Sequence, residues 1–224
     1  MLLTIPELLN ASQLEEIHRL LADAPFTDGR YSAGEDARRV KRNEELDPGD
    51  ARVTALNRLL LMPLYRHTSF QAAALPRRLS GAFFARYQPG MHYGAHVDDP
   101  VMGPEGGRYR ADISVTVFLN APDSYEGGEL VVETVFGKQS VKLPAGHAVI
   151  YPSSSLHHVS PVTRGQRLVA VAWAESMVRD PAQRQILYEL HRVHESLRER
   201  DPEGEATGRT AQVRANLMRM WAEV

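Results

Sequence analysis

The chain has 224 residues, 43% of them apolar and 24% charged, which is ordinary globular composition and enough length for one sizeable core. A formal net charge of −2 offers no bulk attraction to nucleic acid or anionic lipid. The absence of cysteine excludes disulfides, thiolate zinc sites and cysteine nucleophiles.

The opening "MLLTIPELLN" lacks the basic and apolar regions of a secretory signal, and no later run approaches bilayer length, so a cytoplasmic protein is expected. Ser12 is placed to cap "QLEEIHRLLAD", a helix with Leu14, Ile17, Leu20 and Leu21 on one face. The run "DARRVKRNEELD" reads as a charged surface loop, or as a lid over whatever mouth the fold presents. A second helix is expected from Asp47 or Asp50 through "ARVTALNRLLLMPLYRH", with Val53, Leu56, Leu59 and Leu60 apolar.

After Pro76 the texture changes to short strands with turn signals. The candidates are "LSGAFFARYQ", "HYGAHVD", "ADISVTVFLN", "GELVVET", "QSVKLPAGHAVIYP", "SLHHVSPV" and "RLVAVAWAESMV", separated by Gly- and Pro-rich turns. Such a series over Leu79 to Val178 suits a double-sheet jelly roll. From Asp180 and Pro181 the chain turns helical again, breaks at "DPEGEATG", and ends in "RTAQVRANLMRMWAEV". The expected architecture is α+β: a helical region at 1–76, a jelly-roll barrel at 77–178, and a helical region at 179–224. Leu217, Met218, Met220 and Trp221 offer a surface for a homo-oligomer.

In an extended "HVD", His96 and Asp98 project to one face, and Pro89, Gly90 and Gly94 argue against a helix there. The same residues argue against reading His92 and His96 as a helical zinc pair. A third ligand is available in "SLHHVSPV", which holds His157 and His158. Two imidazoles and one carboxylate with open positions suit a non-heme Fe(II) oxygenase. Alternation places His157 with Val159 on one face and His158 on the other, although a bulge would exchange them. Arg167 follows after the turn "TRGQ", and a guanidinium grips a carboxylate through two parallel hydrogen bonds.

"RYQPGMHYGAHVDD" fits Y-x-x-G-x-x-Y-x-x-H-x-D through Tyr87, Gly90, Tyr93, His96 and Asp98. With "SYEGGELVV", "VKLPAGHAVIYPSSSLHHVSPVTRGQR" and "WAESMVRD", it resembles the PKHD-type hydroxylases, bacterial relatives of prolyl 4-hydroxylase among the Fe(II)- and 2-oxoglutarate-dependent dioxygenases. The resemblance runs nearly end to end. It implies a double-stranded β-helix, Fe(II) held by His96, Asp98 and His157, and 2-oxoglutarate anchored by Arg167 through its C5 carboxylate. It further implies ascorbate as a reductant, release of succinate and CO2, and an association of some members with iron uptake. A peptidyl proline, a free amino acid or an iron-chelating metabolite would each suit as substrate, with no nucleic-acid or membrane partner.

Tyr87 and Tyr93 could reach a cosubstrate carboxylate, but strand tyrosines usually pack their rings and expose their hydroxyls, so they are left out of the site. Arg164 is expected in solvent or against substrate rather than as the 2-oxoglutarate anchor, His147 exposed in a turn, and His191 and His194 solvent-facing on a helix. Gly127 and Gly128 suit a tight turn before "ELVV". A non-catalytic iron sensor would share the three ligands but would not need Arg167. A zinc hydrolase of similar shape would need a base, for which Glu126 and Glu129 are the candidates.

Overall fold

The computed structural model describes residues 1–223. In chain order the elements are β1 (Leu3–Ile5), α1 (Ala11–Leu21), β2 (Phe26–Asp28), a 3-10 turn (Gly29–Ser32), α2 (Glu35–Val40), β3 (Lys41–Arg42), β4 (Glu44–Leu46), α3 (Arg52–Arg66) and α4 (Thr68–Ala74). The barrel strands follow: β5 (Pro76–Leu79), β6 (Phe83–Tyr87), β7 (His92–His96), β8 (Val101–Met102), β9 (Tyr109–Arg110), β10 (Ile113–Phe118), β11 (Tyr125–Gly127) and β12 (Leu130–Thr134). Then come β13 (Gly137–Val141), β14 (Ala148–Pro152), β15 (His157–Val159), β16 (Val162–Gly165) and β17 (Arg167–Ser176), closed by α5 (Pro181–Arg200) and α6 (Glu205–Trp221).

The strands form an eight-stranded major sheet, ordered β1-β14-β10-β17-β6-β4-β2 with β5 also on β17, a five-stranded minor sheet, β13-β12-β15-β7-β3, and two two-stranded ladders, β11-β16 and β8-β9. Period-2 alternation divides the major sheet into two faces. Val115 and Val117 of β10 and Leu168, Ala170 and Ala172 of β17 point outward into a core with Ile17, Leu56, Leu60, Leu64 and Phe70 from α1, α3 and α4. Phe118, Val169, Ala85 and Tyr87 point inward, toward Leu130, Val132 and Val159 of the minor sheet. The fold is thus a jelly roll with helices on one outer face.

Helix α1 is capped by Asn10 rather than Ser12: the Asn10 side chain accepts from the Gln13 amide and Gln13 answers with its own side chain. Helix α3 carries its buried stripe at Leu56, Leu60 and Leu64, an i, i+4 row that seats it on the sheet. Asp180 caps α5 through the amides of Ala182 and Gln183 with Pro181 in the first turn, as its sequence suggests. Helix α6 begins earlier than expected, at Glu205. Leu217, Met218 and Trp221 are partly buried, packing against Leu75, Val178 and Leu187, and Met220 alone of the four is largely exposed.

The first 76 residues are not simply helical, because β1–β4 join the two sheets. The run "DARRVKRNEELD" corrects the loop reading most sharply. Its chain leaves the major sheet at β2, crosses through the 3-10 turn and α2, pairs β3 with β7 on the minor sheet, and returns to the major sheet as β4. Lys41, Asn43 and Glu45 are buried in alternation, a strand signal that hydropathy misses because the buried residues are polar. Residues 26–46 form a strap across one open edge of the barrel.

Candidate metal centre and cosubstrate pocket

Strands β7 and β15 lie side by side, with the Cα of His157 opposite that of His96 and Val159 opposite Tyr93. Three steps on β7 therefore answer two on β15, and the surplus residue falls at Gly94–Ala95. The bulge that could have exchanged His157 and His158 sits on the other strand. On its far side β15 pairs regularly, His157 with Val132 and His158 with Val131, so His157 shares the inner face with buried Val132. His158 looks the other way.

Strand β7 ends at His96, and Asp98 reaches the same point from the turn beyond it. One donor atom each from His96, Asp98 and His157 fall within 4.8 Å of one another. The Asp98 Oδ1 lies 3.9 Å from His96 Nε2 and 3.8 Å from His157 Nε2. Each imidazole is oriented from behind. His96 Nδ1 donates to the Gly94 carbonyl at 2.8 Å and His157 Nδ1 to the Ser155 carbonyl at 3.0 Å. This tautomer leaves both Nε2 lone pairs facing Asp98. The buried Ser114 hydroxyl donates to Asp98 Oδ2 and shares a 2.9 Å hydrogen bond with Ser153. Burial, with the neighbouring His157 next in weight, holds His96 well below the ordinary imidazole range. Neutral imidazole is the ligating form. Two such nitrogens and a carboxylate oxygen make a donor set that fits Fe(II).

The triad opens into a cavity of about 610 Å³ that also contains Arg167, Phe83, Trp173 and the inner face of the strap. Arg167 begins β17 opposite Tyr87 of β6 and is 1% exposed. Its guanidinium carbon lies 4.9 Å from the centre of the Tyr87 ring and 5.7 Å from that of Phe118. Its Nε and Nη1 have no hydrogen-bond partner, nor does the buried Tyr125 hydroxyl, and among the described residues no carboxylate pairs with it. Burial pushes the Tyr87 phenol up to about 12, with the adjacent Arg167 charge opposing the rise, so Tyr87 stays a neutral donor. Gly128 backs the pocket at φ +68°, where an added Cβ would stand 2.9 Å from Arg167 Cδ. A guanidinium buried without an anion is costly. A bound carboxylate would satisfy it.

Tyr87 and Tyr93, left out of the expected site, both line this cavity. The Tyr93 ring stacks on His96 with centroids 3.6 Å apart and planes inclined by 13°. Lys41, Glu45 and Ser114 had no motif to reveal them, and Tyr125, inside "SYEGGELVV", was not singled out. Arg164 lies outside, exposed and paired with Glu126 at 2.9 Å, and neither Glu126 nor Glu129 lines the cavity, so neither is placed as the base a zinc hydrolase would need. His147 is half-buried rather than exposed. His191 and His194 are also partly buried, and burial lowers the ionisation of His191.

Residues 82–175 match the family model of the 2OG-Fe(II) oxygenase superfamily, the class to which this fold and donor set correspond. A crystal structure of a prolyl-4-hydroxylase from Pseudomonas putida shares the fold at a TM-score of 0.51 and 21% identity, covering 78% of this chain and 92% of that one. A PKHD-type hydroxylase of Thioalkalivibrio sulfidiphilus is 80% identical over the full length of both chains. Another, from Klebsiella pneumoniae, is 46% identical over 98% of this chain and 99% of its own. The chain belongs to the PKHD-type hydroxylases, Fe(II)- and 2-oxoglutarate-dependent dioxygenases. No described helix is long and apolar enough to cross a membrane.

Proposed function

We propose that His96, Asp98 and His157 hold Fe(II), that Arg167 anchors the C5 carboxylate of 2-oxoglutarate, and that the protein hydroxylates a C–H bond of a substrate entering beside Phe83 and Trp173. The observation that carries this reading is the buried guanidinium, lacking an anion, in the same cavity as the triad. When bound, Fe(II) with 2-oxoglutarate supplies the activation of O2, one atom entering succinate as CO2 leaves and the other entering substrate as hydroxyl.

The chain's own residues do the rest. The Gly94 and Ser155 carbonyls and the Ser114 hydroxyl fix the donor atoms. Arg167 sets the depth and direction of the keto acid, with the neutral phenols of Tyr87 and Tyr125 beside it. The apolar side chains of Leu130 and Val159, which line the cavity, keep water from the reacting end. The cavity far exceeds the volume of a five-carbon diacid, which supports a second ligand and hence turnover over passive iron sensing. Ascorbate keeps the metal ferrous, and the protein works in the cytoplasm.

Succinate formation should require added Fe(II) and rise with a competent substrate from a panel of prolyl peptides, free amino acids and iron-chelating metabolites. It should vanish in His96→Ala, Asp98→Ala and His157→Ala. Retained iron binding and turnover in all three variants would overturn the assignment. Omitting ascorbate tests its part.

A further inference from the structure

We propose that Lys41 is a positioning residue for the metal centre, and that the strap of residues 26–46 acts through it and Val40 to hold the His96 imidazole. The inference rests on His96 being a ligand, as proposed above. Two adjacent strap residues bear on the two groups that orient this imidazole. Val40, at the end of α2, lies against Gly94, whose carbonyl accepts the His96 Nδ1 proton. A Cβ on Gly94 would come within 2.7 Å of Val40 Cβ, so the strap seats directly on that backbone. Lys41, on β3, pairs in register with Tyr93, and its Nζ lies 5.2 Å from the centre of the Tyr93 ring, the ring that stacks on His96.

Lys41 is itself pinned. Only 5% of it is exposed, and its ammonium donates to Glu45 Oε1 at 2.6 Å and to Ser32 Oγ at 2.9 Å. Glu45 belongs to β4 on the major sheet, whereas Lys41 belongs to β3 on the minor sheet. The ion pair therefore clasps the two sheets across the barrel edge beside the metal centre. A hydrophobic pair would hold that edge at lower desolvation cost, since buried pairs add little net stability. What the ammonium adds is a fixed cation on the Tyr93 ring, and through the ring a fixed His96 plane. Glu45, Lys41, Tyr93 and His96 form one line of contacts, so the wall of the substrate cavity and the metal ligand are mechanically joined.

The test uses the full chain and Co(II) alone, titrated anaerobically and followed by its ligand-field spectrum. Lys41→Met and Tyr93→Leu should each weaken Co(II) by roughly 10- to 100-fold, the usual effect of removing a group that orients a ligand. The double variant should be no weaker than the worse single one, because both break the same line. Lys41→Arg should restore affinity to within about threefold, since it keeps a cation over the ring. Wild-type Co(II) affinity and spectrum in folded Lys41→Met would overturn the proposal, as would losses that multiply in the double variant. If Lys41→Met does not fold, Lys41→Gln/Glu45→Gln, which keeps the volume and a hydrogen bond without the charges, decides by the same readout. His96→Ala is the separate control: unchanged Co(II) affinity there would sink the ligand assignment itself.

Discussion

Replacing Arg167 by Met tests the cosubstrate pocket through a pair of opposed effects. In the absence of ligand, the guanidinium is 1% exposed with Nε and Nη1 unpartnered, so a side chain of similar volume without charge removes a burdensome group. The ligand-free melting temperature should stay level or rise, as happens when buried charges give way to apolar residues. Binding should move the other way. A carboxylate held by two charge-assisted hydrogen bonds, at the lower figure of about 1.5 kcal/mol each, loses about 3 kcal/mol. That corresponds to a rise of more than about 100-fold in the Kd for 2-oxoglutarate. At a cosubstrate concentration of about 100 Kd, the wild type gains about 2.7 kcal/mol, and a variant binding 150-fold more weakly gains about 0.3. For a chain of this size these translate to shifts of about 5–11 °C and about 1 °C. The assay is thermal melting with Mn(II), with and without 2-oxoglutarate. A variant whose ligand-free form loses more than about 1 kcal/mol while keeping the full ligand shift would refute the reasoning.

His157→Ala should abolish metal binding, whereas His158→Ala should leave it within about twofold, because the two side chains lie on opposite faces of β15; metal titration of both variants checks the register. Ser114→Ala removes the donor to Asp98 and should weaken metal binding by roughly 10- to 100-fold while the far-ultraviolet circular dichroism stays unchanged. Gly128→Ala places a methyl against Arg167 at a positive φ, and should both lower stability by about 1–2 kcal/mol and raise the Kd for 2-oxoglutarate, as measured by denaturation and by titration. Wild-type values for the first quantity but not the second would mean the anchor is displaced without backbone strain.

How much of this could be read from the sequence followed from the kind of signal each part left. The barrel strands announced themselves because their apolar residues alternate or run continuously, as in "ADISVTVFLN", where all of β10 is buried. The meeting of His96, Asp98 and His157 at one point was legible because they sit in a recognisable pattern, and strand alternation favoured His157 over His158. That Arg167 faces the same cavity was legible from its place after a turn. The strap was not, because its inward residues are Lys41, Asn43 and Glu45, which composition assigns to solvent. Nor did any local signal show that Tyr93 stacks on His96, since that contact arises where β7 carries one residue more than β15. Register irregularities and buried polar pairs are long-range properties, and they lie beyond what spacing along the chain encodes.

The two faces of the major sheet carry different obligations. The outer face, against α1, α3 and α4, is a continuous apolar core in which Val115, Val117, Leu56 and Leu60 are fully buried. The other side, facing the minor sheet and the strap, holds groups that a stability-optimised protein would avoid: an Arg167 without an anion and a Lys41–Glu45 pair taken out of water, both lining the cavity, with a Tyr125 hydroxyl on β11 and an Asn43 amide in the strap also without partners. Each is disfavoured in the ligand-free chain. Polarity of this kind detracts from stability, so the chain leans on the apolar core behind the major sheet to stay folded. The outer core therefore sets how much polarity the inner face can carry. Large-to-small changes such as Leu60→Ala, costing about 2–5 kcal/mol, would be tolerated less well here than in a barrel whose interior is apolar.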